Sequence, residues 1–269
     1  MTKTLSFLGT ATLVIAIAIG FILANTAIQA SATSYTDPAD LEAGDLIRGE
    51  SFSAVYYFGE DGFRYVFPND KAYFTWYDDF DDVVWLTDSD MSSVQIGGNV
   101  TYKPGVKMIK ITSDPKVYTV GLGGEIRAIP SEEVAEDLYG SSWNTMIDDV
   151  PDGFFPNYTM GSDLEFASQY DAESEEAGAY SIDYDKSLEA YTEVSLSDSG
   201  IEDVTIDAGT AIRFVNNGSD KHGATDDDGD WGTGTLNSGD HFSRYFEEAG
   251  TYGYHDKYDD SATGTITVE

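Results

Sequence analysis

Residues 250–268 read GTYGYHDKYDDSATGTITV. As a strand, the first part sends Tyr252, Tyr254 and Asp256 to one face and Gly253 and His255 to the other, because successive side chains alternate. Thr265, Ile266, Thr267 and Val268 form a second, β-branched run. The two runs predict a hairpin-like pair that closes a small β domain.

Upstream of the hairpin stand Asp207-Ala208-Gly209-Thr210, then Phe214, Asn216 and His222, and later Gly239 and Phe242. Together with the hairpin, this series resembles the cupredoxins, the plastocyanin-like copper proteins. Their last two strands carry a Cys, a His and a Met that bind copper, and an earlier G-T…F-x-N…H segment supplies the first copper His. The resemblance covers residues 193–269 and implies a C-terminal Greek-key β-sandwich over residues 192–269. Aligned on Gly264, the Cys position holds Asp256, the second His position Asp259 and the Met position Ala262, while His222 matches the first His. The soft thiolate creates blue-copper chemistry, and the chain has no cysteine, so it cannot build that centre. Two readings stay open. In one, His222, Asp256 and Asp259 form a harder N/O site for a divalent metal such as copper, zinc or manganese. In the other, the sandwich persists as a scaffold, His222 is a partly exposed loop residue and Asp256 a solvated or hydrogen-bonded acid, since fold and site are separable.

Residues 1–32 read as a targeting segment. Lys3 is followed by an uncharged apolar run from Leu5 to Leu23 and the small-residue site Ala30-Ser31-Ala32, the pattern of an export signal. The run approaches the length of a membrane span, so an uncleaved anchor is the alternative. Either way the bulk of the chain is expected outside the cell or in its envelope.

Acids outnumber bases 49 to 14, and removing residues 1–32 takes one lysine, leaving 13 − 49 = −36. A polyanion of this size excludes nucleic acid and anionic membrane surfaces as electrostatic partners. With no disulfides available to an exported chain, stability rests on packing, for which 14 Phe, 18 Tyr and 4 Trp are present.

Residues 44–161 contain an internal repeat. Leu46-Ile47-Arg48 matches Met108-Ile109-Lys110, Val55-Tyr56 matches Val117-Tyr118, and Gly59 and Gly62 match Gly121 and Gly124, all 62 positions apart. The offset then becomes 63, pairing Arg64 with Arg127, Met91 with Phe154 and Gly98 with Gly161. Each repeat predicts a three-stranded meander and then a short helix. Asn69 caps the first helix, with Tyr73, Trp76, Tyr77 and Phe80 as its stripe; Ser131 caps the second, with Val134, Leu138 and Tyr139. The segments AVYYFGEDGFRYVFPNDKAYFTWYDDF and LYGSSWNTMIDDVPDGFFPNYTMGSDL are similar to a repeat module of exported, surface-layer-like proteins of candidate-phyla bacteria. That resemblance implies location more than activity. Tyr56, Tyr57, Tyr65, Tyr73, Trp76, Tyr77 and Trp85 read either as glycan-stacking platforms or as core. Asp78, Asp79, Asp81 and Asp82 read as a solvated acidic face, because no ordered calcium-ligand spacing is present.

Residues 162–191 carry nine acids against Lys186 and read as a solvated, extended acidic linker. Asp226 to Asp230 lacks the Gly and Glu of a calcium loop at the required places. His241 and His255 are expected at the surface. Three glycosylation sequons start at Asn99, Asn157 and Asn217. No nucleophile with its base, metalloprotease motif or phosphate loop can be assembled, and no catalytic or organic-cofactor residue is nominated. The sequence thus predicts a mainly β chain with short helices, α+β in the repeat domain and a sandwich at the end. Its expected role is a non-enzymatic envelope or secreted scaffold that binds an envelope component, glycan or protein and meets a membrane only through residues 1–32. The rival role is a metal-binding or electron-transfer protein using a non-blue His/Asp site.

Overall fold

The structure is a computed structural model that describes residues 34–269, so the targeting segment expected at residues 1–32 lies outside the described residues. The repeat region begins with β1 (Leu46–Gly49), β2 (Tyr56–Phe58) and β3 (Arg64–Val66), an antiparallel meander. Helix α1 (Asp70–Trp76) follows, its N-terminus closed by the Asn69 side chain accepting from the Ala72 N–H. Then come β4 (Val83–Leu86), α2 (Asp88–Ser93) and β5 (Ile96–Asn99). β4 runs parallel to β1 and β5 parallel to β3, giving the order β4-β1-β2-β3-β5.

The second sheet is built from β6 (Met108–Ile111), β7 (Tyr118–Val120), β8 (Glu125–Ala128), α3 (Glu132–Tyr139), β9 (Ile147–Val150) and β10 (Thr159–Met160). Its order is β9-β6-β7-β8-β10, with β6 parallel to β9 and β8 parallel to β10. Residues matched by the 62-residue offset therefore occupy the same places in two sheets of one topology. The three-stranded meander expected from sequence is incomplete, because each sheet gains two parallel edge strands. Runs such as Val83-Val84-Trp85-Leu86 are too short and too uniformly apolar for alternation to reveal them. In α3 the buried residue is Ala135, while Val134, Leu138 and Tyr139 are half-buried.

The segment expected to be an extended linker is folded. It contains α4 (Ala172–Gly178) and α5 (Ile182–Lys186), and it buries Leu164, Tyr170, Ala179 and Ile182. Helix α5 ties the two sheets together through its acids. Asp183 accepts from the Glu60 N–H (3.0 Å) and the Tyr57 hydroxyl in the first sheet, and Asp185 accepts from the Gly123 N–H beside the second (2.9 Å). Lys186 donates to the Asn99 carbonyl at 3.1 Å. Acid-rich composition suggested solvation, but these carboxylates are acceptors for the buried Tyr57 side chain and for backbone N–H groups of the two sheets' turns.

The C-terminal part is a sandwich of two four-stranded sheets. Its strands are β11 (Thr192–Ser197), β12 (Gly200–Ile201), β13 (Val204–Ile206), β14 (Thr210–Asn216), β15 (Ala224–Asp226), β16 (His241–Phe246), β17 (Gly250–Asp256) and β18 (Asp259–Val268). One sheet runs β12-β11-β14-β16 and the other β13-β18-β17-β15, so the chain crosses between sheets repeatedly. The expected hairpin is present, with Tyr252 opposite Ile266 and Tyr254 opposite Gly264. Between the sheets lie Val194, Leu196, Ile212, Phe214, Trp231, Tyr254, Ile266 and Val268. The chain is thus mainly β with short helices, as its sequence predicts. Residues 34–269 form one compact unit, and no helix among the described residues is long and apolar enough to cross a membrane.

Candidate functional site

At one end of the sandwich the loop after β14 meets the tip of the β17–β18 hairpin. Asn216, the last residue of β14, is fully buried and shapes this loop. Its side-chain amide donates to the carbonyls of Asp220 and Leu236 (both 2.8 Å), and its oxygen accepts from the Gly218 N–H (2.9 Å). His222 is fixed by two backbone hydrogen bonds exchanged with Leu236, at 3.1 and 2.9 Å. Its ring is thereby held over Asp256, the last residue of β17.

Both ring nitrogens of His222 are engaged by carboxylates. Nδ1 bonds Oδ2 of Asp256, and Nε2 bonds Oδ1 of Asp198 at 3.0 Å. Asp256 is 1% exposed, and its other oxygen accepts from the Tyr258 N–H (2.9 Å). Asp198 sits in the β11–β12 turn and also accepts from the Ser219 N–H and hydroxyl and the Asp220 N–H. A side chain at Gly218 would press on both partners, since its Cβ would lie 2.6 Å from Asp198 Oδ1 and 2.7 Å from His222 Nε2.

For both carboxylates to accept, both nitrogens must carry protons, so the geometry calls for an imidazolium between two anions. The protonation tendencies agree. Burial works against the charge on His222, but the hydrogen bonds it donates to Asp256 and Asp198 outweigh it and raise its pKa. Hydrogen bonds from Ser219 and His222 hold the Asp198 carboxyl well below the usual carboxylate range.

The three residues nominated from sequence separate here. His222 and Asp256 converge, whereas Asp259 is exposed and turned back on its own loop, where Oδ1 accepts from the Ser261 N–H (3.0 Å) and hydroxyl (2.6 Å). Asp259 is thus not among the hydrogen-bond partners of His222, and the second carboxylate at the ring is that of Asp198. Sequence reasoning missed Asp198 because the link depends on parallel pairing of β11 with β14. Leu196 lies opposite Asn216, so two residues further on Asp198 reaches the Gly218–Asp220 loop.

The other histidines differ from expectation in part. His241 is buried with Nε2 unpartnered, and burial together with the Arg213 charge lowers its pKa to about 4. His255 is half-buried, with Nδ1 bonded to Asp227 Oδ1 at 2.8 Å. Asp226 closes its own turn by accepting from the Asp230 N–H at 3.0 Å. Asp78, Asp79, Asp81 and Asp82 are exposed, and Tyr57, Tyr65 and Tyr73 belong to the core.

Copper of the kind the sequence resemblance implies does not fit these residues. The chain supplies no thiolate, and the one histidine at the place directs both nitrogens into hydrogen bonds with carboxylates. Among the described residues no group of three or more His, Cys, Asp and Glu is arranged to hold a metal ion.

No family model matches the chain, and no curated protein is found similar to it. Among solved structures, a purple cupredoxin from Nitrosopumilus maritimus is 22% identical over 29% of this chain and 99% of its own, with a TM-score of 0.27. A mutant amicyanin in its Cu(I) form is 24% identical over 29% of this chain and 82% of its own, with a TM-score of 0.26. The Cu-containing nitrite reductase from Thermus scotoductus SA-01 is 22% identical over 30% of this chain and 23% of its own, with a TM-score of 0.28. These are likenesses of fold over less than a third of the chain.

Proposed function

We propose that the protein is a non-enzymatic binding or scaffold protein of the cell exterior, in which a cupredoxin-like sandwich is closed by a proton-held Asp198–His222–Asp256 clamp. The observation that carries the clamp is the engagement of both His222 ring nitrogens by carboxylate oxygens. A metal ligand needs a free nitrogen lone pair, and here each nitrogen is a donor instead. The export pattern of residues 1–32, the acidic surface and the lack of any assembled catalytic group support the wider reading. So does the resemblance of the repeats to a surface-layer-like module.

A second reading keeps a divalent ion, copper or zinc, at His222 and Asp256, and the convergence of those two residues favours it. It requires the ion to displace a proton from the ring. Calorimetric titration of the purified protein with copper(II) and zinc(II), near neutral pH and again above the His222 pKa, separates the two. The clamp reading expects no site-specific heat near neutrality and none that His222→Gln removes. Stoichiometric binding that His222→Gln abolishes would establish the metal reading.

A further inference from the structure

The two repeat sheets share a topology but differ in how one cleft is filled. In the first, Asn69 caps α1 and the Tyr73 N–H bonds the Asn69 carbonyl; in the second, Ser131 caps α3 and the Ala135 N–H bonds the Ser131 carbonyl. Tyr73 and Ala135 are therefore the same position. Beside α1, Tyr73 and Phe80 stack with centroids 4.3 Å apart in a cleft walled by Val55, Phe67 and Pro68, which keeps about 410 Å³. Beside α3 the same walls recur as Val117, Ile129 and Pro130, but a methyl group replaces the tyrosine. That cleft holds about 640 Å³, inside the roughly 300–1,000 Å³ range of ligand pockets.

The lining is amphipathic, and its charges cancel. Val117, Ile129, Ala135 and Ile147 make an apolar part, to which the half-buried Trp143 adds an aromatic ring. Thr112 and Ser113, exposed between β6 and β7, and Ser131 add hydroxyls. The Ser131 oxygen accepts from the Val134 N–H at 3.3 Å, which leaves its proton to donate. Lys110 and Lys116 are matched in the lining by Asp114 and Glu132, and both lysines already have carboxylates beside them, Asp149 and Asp163. One Asp114 oxygen accepts from the Lys116 backbone N–H at 2.9 Å, which leaves the other to accept from a ligand. An anion meets the field of a chain with net charge −35, and a cation meets the two lysines, so charge selects for neither.

We infer that the cleft between β6–β7 and α3 binds a neutral saccharide, with one pyranose ring against Trp143 in the space that Tyr73 fills in the first repeat. A pyranose matches both parts of the lining. Its C–H face packs on an aromatic ring, while its hydroxyls must exchange water for hydrogen bonds to the protein. Thr112, Ser113 and Ser131 can donate and accept, and Asp114 and Glu132 accept. A wholly apolar ligand would strip water from these groups and return nothing. Trp143 is not one of the aromatic residues that the sequence offered as platforms; Tyr57, Tyr65 and Tyr73, which are, belong to the core. The inference rests on the reading of the chain as a binding protein, yet it uses no residue of the sandwich, so each can fail alone.

The test is NMR titration of the whole protein with maltohexaose, cellohexaose and N-acetylchitohexaose as neutral probes, and with hexagalacturonate and hexalysine as charged controls. At least one neutral probe is expected to bind saturably, with a Kd of about 1 mM or tighter, and to shift the Trp143 indole N–H, assigned through Trp143→Phe. Ala135→Tyr puts back the ring that the first sheet carries and should abolish binding. Thr112→Val with Ser113→Ala, in an exposed loop, should weaken it by about tenfold, equivalent to about 1.4 kcal/mol, without changing the melting temperature. This pair decides the matter if Ala135→Tyr does not fold. The inference is overturned if no neutral probe binds, if hexagalacturonate or hexalysine binds more tightly than every neutral probe, or if either folded variant binds unchanged. Binding accompanied by cleavage of the probe would uphold the site and overturn the non-enzymatic reading instead.

Discussion

His222 and Asp256 stand 34 positions apart in the chain and are hydrogen-bonded across one end of the sandwich, Nδ1 to Oδ2, with both residues buried. The bond joins the loop after β14, in one sheet, to the end of β17 in the other. It therefore fastens the two layers at the end where the hairpin turns.

Removing one member should expose how much the pair matters. Asp256→Ala would leave a buried imidazolium with only the half-exposed Asp198 as partner, and breaking such a buried pair costs on the order of 3 kcal/mol or more. Asp198→Ala should cost less, because its side chain is 45% exposed and water replaces it. Urea unfolding of both variants and the double mutant checks this ranking. Equal losses would mean that the clamp does not depend on burial.

The two buried histidines should give stability opposite pH slopes. His222 has a raised folded pKa, so its contribution is complete below the unfolded value of about 6.5 and is lost as pH rises through the folded value. His241 has a folded pKa lowered to about 4, so the unfolded chain takes up its proton first and stability falls as pH drops from about 6.5 towards 4. His222→Gln should flatten the alkaline limb of a melting-temperature profile, and His241→Phe the acid limb. A profile in which each substitution flattens the opposite limb contradicts the assignment.

Much of this was legible from the chain, and the failures have physical causes. Alternation in Tyr252, Tyr254 and Asp256 pointed to the hairpin and put Asp256 on one face with Tyr254, but that Asp256 is buried is seen only in the structure. The G-T…N…H series placed His222 at the same end. An alignment could not show that the Asp259 carboxylate at the hairpin tip accepts from its own Ser261 N–H. Asp198 was invisible because parallel pairing joins residues through a crossover that no local spacing records. The α4–α5 segment was misread because Asp183 and Asp185 look the same in sequence whether they face water or accept from another segment's N–H or hydroxyl.

Salt should stabilise the protein. Residues 33–269 carry 13 bases against 49 acids, and like-charge repulsion shortens in range from about 8 Å at 0.15 M to about 3 Å at 1 M ionic strength. Melting temperature is expected to rise as sodium chloride reaches molar levels. A flat or falling curve would show that the acids are paired locally and store little repulsion.

The joint between the first sheet and the sandwich offers the sharpest test of whether they act as one body. Asp61, 0% exposed, accepts from the hydroxyls of Tyr65 on β3 and Tyr245 on β16 and from the Phe63 N–H at 3.1 Å. The Tyr245 ring stacks on Phe63 with centroids 4.8 Å apart, and nearby Gln95 accepts from the Ser243 N–H at 2.7 Å. Burial, reinforced by hydrogen bonding to Asp61, pushes both tyrosine pKa values up, so both hydroxyls stay donors across the working pH range. Tyr245→Phe keeps the stacking and removes one donor from a buried carboxylate, a loss of about 1–3 kcal/mol. Asp61→Ala removes the shared acceptor and leaves the two hydroxyls only each other, 3.3 Å apart, so it should cost more. Because Tyr65 and Tyr245 serve the same oxygen, Tyr65→Phe and Tyr245→Phe should not add. Wild type should unfold in a single calorimetric transition, and Asp61→Ala should split it into two as the sandwich and the sheets come apart separately. If Asp61→Ala unfolds in one transition at the wild-type midpoint, the carboxylate does not couple the two parts.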